Sequence, residues 1–333
     1  MTDYKDIIVE DLNTLRKKEQ QDGNTFKAIA YAKILQQLKT KDKIETFEDL
    51  VDIKGLGDRI RKRIEEIMTT GALKEAEDVR KDVHVDMIDT FMNIYGIGRV
   101  KAVDLVKKKG IQSIEQLREE VKKNPGLLNT NQTIGLNYYE DLLERIPRAE
   151  MKKHEKMVKK TIQKVSKHLE VEVVGSYRRG EPNRGDIDVL IKWPMTESLD
   201  KGAETLKNIV DELIAVKYVV ETLAQGQKKY MGICRLEGEK SRRLDLLLTP
   251  ENEYAFAVLY FTGSDKFNVE MRRIVLEKGY SMNEHGLTPK EEVAAPPILL
   301  TEEAIFNFFG YRYIQPKNRK GTISFNRYLL KNS

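Results

Sequence analysis

Three aspartates in this sequence have the type and spacing of a metal-dependent catalytic centre. Asp186 and Asp188 belong to the apolar run DIDVLI (186–191). Alternate residues of a strand share a face, so both carboxylates point the same way about 7 Å apart. Two such acids repel each other and resist desolvation, and a divalent cation relieves both effects. Asp245 occupies a second apolar run, RRLDLLLT (242–249). Three convergent carboxylates can hold two Mg²⁺ ions, one activating a hydroxyl and the other clamping a triphosphate.

A glycine-serine turn and a basic loop precede the first two aspartates. The apolar run VEVVG (171–175) leads into Ser176, where backbone and hydroxyl donors can meet phosphate oxygens. Asp-x-Asp alone is common in solvated loops, so a salt-bridged surface strand is the alternative interpretation. The order of Gly-Ser, Asp-x-Asp and a later strand aspartate is instead typical of the nucleotidyltransferase superfamily. The arginines of this loop, which offset negative charge, are Arg178, Arg179 and Arg184.

An internal repeat lies in the first third of the chain. The segments LVDIKGLGDRIRKRIEEI (50–67) and FMNIYGIGRVKAVDLVKK (91–108) each combine a hydrophobic helix end, a Gly-x-Gly turn and a second helix. Glycine permits a tight turn that approaches another chain closely, and the following helix start presents N–H groups to phosphate oxygens. This pattern predicts two helix–hairpin–helix motifs that bind DNA backbone without reading its sequence. An ordinary helical hairpin is the alternative.

The elements that position these residues change character along the chain. Apolar residues at three- and four-residue spacing predict helices over residues 1–145. Beyond residue 170, short β-rich runs predict strands, with helices between or after them. Residues 148–168 form an amphipathic helix whose basic face is either solvated or in contact with DNA backbone. The β-rich runs are VEVVG, DIDVLI, RLDLLL and FAVLYF (256–261), the later helices are 203–216 and 266–278, and 286–297 reads as an irregular connector.

Length and composition exclude several classes of protein. The 333 residues predict about two domains or several small ones. The chain has 58 Lys and Arg against 53 Asp and Glu. The resulting net charge of +5 does not by itself indicate a binding partner. The single Cys234 and four histidines without ligand spacing predict neither disulfides nor zinc. No run is long enough to span a membrane and no signal peptide is evident, so we expect an intracellular protein of a reducing compartment without a membrane partner.

The motifs together resemble family X DNA polymerases, most nearly the β and λ type, from about residue 10 to the end. The resemblance implies an α+β multidomain fold with a helical amino-terminal half, a nucleotidyltransferase palm with a mixed sheet and a small α/β end subdomain. Its expected divisions are a lyase-like domain (1–80), a second DNA-binding subdomain (81–147), the palm (148–262) and a nascent-base-pair subdomain (263–333). The matching segments are GSYRRG (175–180), GDID (185–188), RRLD (242–245), LYFTGSDKFN (259–268) and IGLNYYEDLLERIPRAEM (134–151).

This resemblance also implies a function. We expect template-dependent filling of short gaps in base-excision-type repair, by transfer from a dNTP to the primer 3′-hydroxyl with two Mg²⁺ ions, or Mn²⁺ as substitute. Gapped or nicked double-stranded DNA and dNTPs are the expected partners of a monomer. It is expected in the nucleus if it is a cellular eukaryotic enzyme; otherwise its compartment is left open, a viral origin included. A template-independent terminal transferase and a dormant DNA-end-binding scaffold are the alternatives. The short connection at 239–241 argues against the first, and the three aspartates argue against the second.

In the family pattern, Asp186 and Asp188 ligate both metals and Asp245 ligates the catalytic metal. Asp245, beside Arg243, also accepts the proton of the primer 3′-hydroxyl. The residues that match triphosphate contacts are Gly175, Ser176, Arg179 and Gly185, with Arg148 as a further contact.

Further matches concern the sugar and the base. A core role for FAVLYF and a helix-capping role for Asp265 are the structural alternatives. His285 stands where the family often has an aromatic side chain. We expect this replacement to loosen the nascent base pair and lower fidelity. The matching residues are Tyr260, Phe261 and Gly263 for the sugar, Asp265 and Asn268 for the incoming base, and Arg272 for the template minor groove.

The helical half departs from the family at one chemical position. Arg63 occupies the place of the lyase lysine, and its neighbour Lys62 is about 100° round the helix. A Schiff base needs a neutral primary amine, which arginine cannot supply. We therefore expect this domain to bind a 5′-phosphate with weak or no lyase activity.

The remaining expectations concern DNA contacts and recruitment. There is no room before residue 10 for a BRCT-type module, so we expect no recruitment to end-joining complexes by that route. The residues that match DNA contacts are Lys27, Gly55, Gly57, Arg59, Gly96 and Gly98, and hairpin carbonyls around Ile53 and Ile94 match a monovalent-cation site.

Overall fold

In the computed structural model, residues 2–81, 83–290, 293–321 and 323–330 are described. Two units contain residues 1–139 and 140–333. Within its described residues the first unit contains helices and no strand, as the apolar spacing predicts. Its helices are α1 (Lys5–Gln21), α2 (Thr25–Leu38), α3 (Asp58–Thr70), α4 (Lys74–Lys81), α5 (Val83–Met92), α6 (Arg99–Val103), α7 (Ile114–Lys123) and α8 (Thr130–Asn137), with short 3-10 helices at Phe47–Leu50 and Pro125–Leu127 and a π-helical turn at Asp104–Lys108.

Two separate apolar cores support the two helical hairpins of this unit. Ile8, Leu12 and Ile64 belong to the first core, under the hairpin that leads into α3. Phe91 and Leu105 belong to the second core, under the hairpin that leads into α6. Each repeat of the sequence therefore has its own hydrophobic support.

The second unit contains a five-stranded mixed sheet in the order β2-β4-β7-β6-β5. The central pair, β4 and β7, is parallel, and the other neighbours are antiparallel. A small antiparallel pair joins β1 to β3. The strands are β1 (Ile146–Pro147), β2 (Val171–Val173), β3 (Asn183–Arg184), β4 (Ile187–Trp193), β5 (Val219–Gln225), β6 (Lys229–Arg235) and β7 (Ser241–Pro250); the helices are α9 (Tyr139–Leu143), α10 (Arg148–Val165), α11 (Gly175–Arg178), α12 (Leu199–Ala215) and α13 (Glu251–Thr262).

The two faces of the sheet bury different helices. Val189 and Leu246 point into a core shared with residues of α10 and α12. Leu190 points the other way, into a smaller cluster with Val258 of α13, and Leu247 packs against that cluster. This alternation follows from the two-residue period of a strand.

A third core lies at the end of the second unit, where Phe256 and Leu259 of α13 contribute to it. Its other elements are α14 (Asp265–Glu277), the hairpin of β8 (Tyr280–Asn283) and β9 (Gly286–Pro289), and α15 (Glu302–Phe308). The predicted fold class, a helical half followed by a mixed-sheet palm and a small α/β end, is confirmed. The finer division into four parts stays a prediction. Among the described residues, no helix has the length and apolar character required to cross a membrane.

Two local predictions were wrong. FAVLYF lies in helix α13, not in a strand, because a short apolar run has no period that separates a strand from a buried helix. Residues 255–259 are all buried, which gives the run its uninterrupted apolar character. The connector at 286–297 begins with β9, whose partner strand β8 was not predicted; residues 291 and 292 lie outside the described residues.

Candidate active site

Strands β4 and β7 bring two of the three aspartates side by side. Their parallel register pairs Asp188 directly with Asp245. Both side chains share the strand parity of Leu190 and Leu247, so they belong to the face of the sheet that packs on α13. Asp186 lies immediately before β4. Two segments far apart in the chain thus place three carboxylates at one end of the central strand pair.

Two arginines link these three carboxylates. Arg184 donates from Nη2 to Asp186 Oδ1 over 3.2 Å and also to Asp188 Oδ2. Arg243 donates from Nη2 to Asp186 Oδ2, and its Nε lies 3.4 Å from Asp245 Oδ1. The carboxylates are therefore joined through guanidinium groups, which partly neutralise their mutual repulsion.

The surroundings favour the protonated forms of two of the acids. Burial raises the pKa of Asp188 above its ordinary value, and the negative charge of Asp186 raises it further, against the opposing charge of Arg184. Burial likewise raises the pKa of Asp245, against the opposing charge of Arg243. The arginines therefore offset the negative charge of the carboxylates only in part.

The carboxylates fit a hard divalent cation in their chemistry. Asp245 Oδ1 is buried and accepts no hydrogen bond from any described residue, which leaves a lone pair for an added ligand. Carboxylate oxygens are the donors that Mg²⁺ prefers. Within the described part of the chain, however, no three acidic, histidine or cysteine side chains are already gathered for coordination. Since Arg184 and Arg243 hold the aspartate oxygens, side chains must move when a metal binds.

The predicted glycine-serine turn lies beside the carboxylates. Gly175 begins the single turn α11 with a φ of +73°, a conformation that glycine adopts without strain. A Cβ at Gly175 would lie 2.8 Å from Arg184 Nη2, so a side chain there would displace the guanidinium. Ser176 follows and is partly exposed, and Gly185 is exposed just ahead of Asp186.

The arginines of the basic loop have different partners. Arg178 donates to Thr262 Oγ1 over 2.9 Å and to Glu302 over 2.8 Å, so its guanidinium is engaged within the protein. Arg179 donates from Nη1 to the Thr262 carbonyl, whereas its buried Nε has no hydrogen-bond partner among the described residues. Burial lowers the pKa of Arg179. Arg179 is thus the arginine of this pair with a buried donor to spare.

Arg148 contacts the basic loop at Tyr177. Its Nη1 donates to the Tyr177 carbonyl over 2.8 Å, and its guanidinium lies 4.5 Å from the centre of the Tyr177 ring. A contact of Arg148 with phosphate stays a prediction.

The end of α13 and the start of α14 contain the residues predicted to contact sugar and base. Tyr260 and Phe261 meet edge to face with ring centres 5.1 Å apart. Asn268 donates from Nδ2 to the Tyr260 carbonyl over 2.8 Å, and the Arg272 guanidinium lies 5.0 Å from the Tyr260 ring centre. Gly263 follows with a φ of +64°. Helix α14 therefore contacts both the backbone and the ring of Tyr260.

The alternative role of Asp265 as a helix cap is wrong. Ser264 is the capping residue of α14, since its Oγ accepts from the Phe267 N–H over 3.4 Å. Asp265 is the first helical residue, and its side chain is exposed. His285 is exposed as well and lies 2.6 Å from Glu253 through Nδ1.

The two glycine hairpins have matching backbones. Gly55 and Gly96 both have a φ of +81°. Gly57 and Gly98 are the extended residues that precede α3 and α6. A Cβ at Gly55 would meet nothing within 4 Å, whereas one at Gly96 would lie 3.3 Å from Gln132. The predicted helix–hairpin–helix geometry therefore recurs, with only the first Gly-x-Gly turn fully open.

Comparison with known families gives four successive matches. A helix-hairpin-helix domain matches residues 4–73 and the fingers domain of DNA polymerase lambda matches residues 89–143. The DNA polymerase beta palm matches residues 145–251 and the DNA polymerase beta thumb matches residues 257–320.

Two similar proteins are DNA polymerase lambda of Rattus norvegicus and of Arabidopsis thaliana. The rat protein is 33% identical over 96% of this chain, and the plant protein is 30% identical over 89%. The chain belongs to family X of the DNA polymerases. It spans 56% and 58% of the lengths of these two relatives.

Arg63, predicted to stand at the position of a lyase lysine, has three hydrogen-bond contacts in the structure. Arg63 forms a forked ion pair with Glu75, with Nε to Oε2 at 2.8 Å and Nη2 to Oε1 at 3.0 Å. Its Nη1 donates to the Tyr31 hydroxyl over 2.6 Å. Lys62 is exposed. The nitrogen atoms of Arg63 are thus occupied as well as unsuited to imine formation.

Several residues of this family X site could not be found from the sequence. Thr262 and Glu302 reach the basic loop only through the fold, so no local spacing announces them. Glu75 and Tyr31 likewise converge on Arg63 from two other helices. Phe26 did carry a signal, as an aromatic residue beside Lys27 at a helix start, and it is 92% exposed.

Proposed function

We propose that this protein is a template-dependent DNA polymerase that fills short gaps during DNA repair. The observation that supports this best is the pairing of Asp188 with Asp245 across parallel strands, with Asp186 beside them and the Gly175–Ser176 turn adjacent. Acids for a metal and a glycine turn for phosphates are what transfer of a nucleotidyl group requires.

In the proposed site, Asp186 and Asp188 would hold two Mg²⁺ ions, and Asp245 would be a further ligand of the catalytic ion. Bound metal supplies positive charge to the reacting oxygens and phosphates. Asp245 also accepts the proton of the primer 3′-hydroxyl, a role supported by its raised pKa and by its Oδ1, which accepts no hydrogen bond from a described residue. Arg243 orients Asp245 through the contact of Nε with Oδ1.

The proposed triphosphate site lies at the turn that precedes β4. Ser176 and Gly185 offer hydroxyl and backbone donors, and Arg179 offers its buried Nε. Arg148 acts mainly by holding the loop carbonyls in place, with contact to phosphate as a further role.

The proposed sugar and base contacts lie at the end of α13 and the start of α14. The rigid Tyr260–Phe261 pair and the Gly263 backbone exclude a 2′-hydroxyl by steric clash, which disfavours ribonucleotides. Asp265 and Asn268 contact the incoming base. Arg272 faces the template minor groove.

The helical unit is proposed to hold gapped DNA by its backbone. Gly57 and Gly98 open helices whose first N–H groups are available to phosphates. Lys27 and Arg59 bind a 5′-phosphate at the gap, and the exposed ring of Phe26 stacks on a base. Binding should therefore weaken as salt is added. Carbonyls near Ile53 would hold a monovalent cation. At the second hairpin, the Ile94 carbonyl already accepts a hydrogen bond from the Ile97 N–H over 3.0 Å.

Gap filling can be tested by extending a primer on a one-nucleotide gapped duplex. We expect Asp188→Asn to lower the rate at least about 1,000-fold, because a metal ligand is lost. Asp211→Asn is the matched control, since Asp211 lies on α12 and pairs with Lys207 at 2.7 Å. Extension of a single-stranded primer without template would instead indicate a terminal transferase, and no incorporation with Mg²⁺ or Mn²⁺ would indicate a scaffold.

Lyase chemistry can be tested by borohydride trapping on a 5′-deoxyribose-phosphate substrate. We expect little crosslinking by the natural protein, because Arg63 has no neutral amine. Arg63→Lys should raise crosslinking, and Lys62→Ala should change nothing. Efficient trapping that Lys62→Ala abolishes would contradict this assignment.

A further inference from the structure

Arg184 is the most deeply buried charge at the catalytic carboxylates. Its side chain is 3% exposed, against 31% for Arg243. Nη1 donates to the Val174 carbonyl over 2.7 Å, and Nη2 contacts both Asp186 and Asp188. One guanidinium therefore ties the end of β2 to both acids of the Asp-x-Asp pair.

Gly175 makes room for the Arg184 guanidinium, because it has no side chain. The guanidinium occupies the volume that a Cβ of Gly175 would fill, with Nη2 only 2.8 Å from that position. Its Nε is buried without a hydrogen-bond partner among the described residues. Arg184 thus contacts the two acids although one of its buried donors stays without a partner among those residues. An unsatisfied buried donor costs free energy, and a purely structural role would not require that cost.

A divalent cation and this guanidinium compete for the same oxygens. Arg184 Nη2 already holds Asp188 Oδ2 and lies 3.2 Å from Asp186 Oδ1. A metal held by both acids would be brought close to the guanidinium, and like charges repel more strongly when one of them, as here, is almost completely buried. Nη1 can keep its bond to Val174 while Nη2 gives up the aspartates.

We propose that Arg184 is a built-in counter-ion of the metal site, which holds Asp186 and Asp188 in the metal-free protein and must release them when divalent cations bind. This inference rests on the proposed function. Arg184 then acts as a positioning residue, and it sets the metal concentration at which the site becomes loaded.

The test is Mn²⁺ binding to the full chain without DNA or nucleotide, with free Mn²⁺ measured by electron paramagnetic resonance. A nearby opposite charge shifts the proton affinity of a carboxylate by one to three pKa units, so we expect Arg184→Gln to bind Mn²⁺ about tenfold more tightly. Arg235→Gln removes the same charge from the exposed end of β6 and should leave the affinity unchanged.

Two further variants separate the explanations. Arg184→Lys keeps the positive charge and should stay within about threefold of the natural affinity, since the charge is the cause of the competition. Arg184→Ser provides a second neutral variant if the glutamine protein does not fold. Folded neutral variants that bind Mn²⁺ no more tightly than the natural protein would overturn the proposal.

Failure of the proposed function would look different. Asp188→Asn measures Mn²⁺ that binds elsewhere. If the natural protein and both neutral variants bind no more Mn²⁺ than Asp188→Asn does, the metal site itself is refuted, and the role of Arg184 with it. If the natural protein exceeds Asp188→Asn but the neutral variants match the natural protein, only the role of Arg184 fails.

Discussion

Two arginine–glutamate pairs, one in each unit, have the same forked geometry in different surroundings. Arg242 meets Glu150 with Nε to Oε1 at 2.7 Å and Nη2 to Oε2 at 2.9 Å. Arg63 meets Glu75 at 2.8 Å and 3.0 Å through the same pair of nitrogens. The first pair is 4% and 9% exposed, and the second is 22% and 47% exposed. Hydrogen-bond geometry alone therefore does not rank the two.

What differs is whether water can replace a lost partner. Arg242 Nη1 also donates to the Glu144 carbonyl over 2.9 Å, and Glu150 lies 3.3 Å from His154, so the buried pair belongs to a closed network. Arg242 adjoins Arg243 on β7, but the alternation of the strand puts its side chain on the face of the sheet that packs on α10, opposite Asp245. Removing one partner there leaves an uncompensated buried charge, whereas water hydrates either partner of the exposed pair.

The largest effect should come from Glu150→Gln. We expect a loss of about 3 kcal/mol in the free energy of unfolding of the second unit, because the Arg242 charge stays buried without its counter-ion. Urea unfolding followed by fluorescence of Trp193 measures this, since Trp193 is the sole tryptophan and lies buried in β4. Glu150→Leu with Arg242→Met should recover most of the loss. If the Glu150→Gln protein is as stable as the natural protein, burial does not make the Arg242–Glu150 pair stronger than the Arg63–Glu75 pair.

An intermediate effect should appear as a dependence on pH. Burial lowers the pKa of His154 below 6.5, although Glu150 opposes the shift. The unfolded chain then binds more protons than the folded chain below pH 6.5, so stability is complete above that pH and declines as pH falls toward the folded pKa. His154→Gln should reduce this decline by on the order of 1 kcal/mol near pH 5. Trp193 fluorescence at a series of pH values measures it, and equal slopes for both proteins would count against a buried neutral histidine.

The smallest effect should come from Glu75→Gln. Since water reaches this pair, we expect a loss under about 1 kcal/mol. Thermal unfolding followed by circular dichroism at the helix band measures the change. Glu65→Gln is a control on the neighbouring α3, where the side chain is exposed. A loss as large as that of Glu150→Gln would show that exposure does not decide the strength of these pairs.

Local spacing was sufficient to predict the two strands that carry the candidate catalytic acids. Asp186, Asp188 and Asp245 stand out because acids are unusual within apolar runs, and Gly55 and Gly96 stand out because they repeat. The pairing of Asp188 with Asp245 lies beyond local spacing, since it depends on a parallel register between distant strands. The same limit explains the error over FAVLYF, whose helical state is decided by burial on the sheet.

The parallel pairing of β4 with β7 also has a consequence for the order of folding. A parallel pair cannot close by a hairpin, so α12, β5 and β6 must be made before β7 can join β4. Contacts between such distant segments form slowly, because a long loop must first be closed. A chain emerging from the ribosome therefore contains both helical hairpins well before Asp188 meets Asp245. The cluster of three aspartates should therefore be among the last parts of the fold to form in the nascent protein.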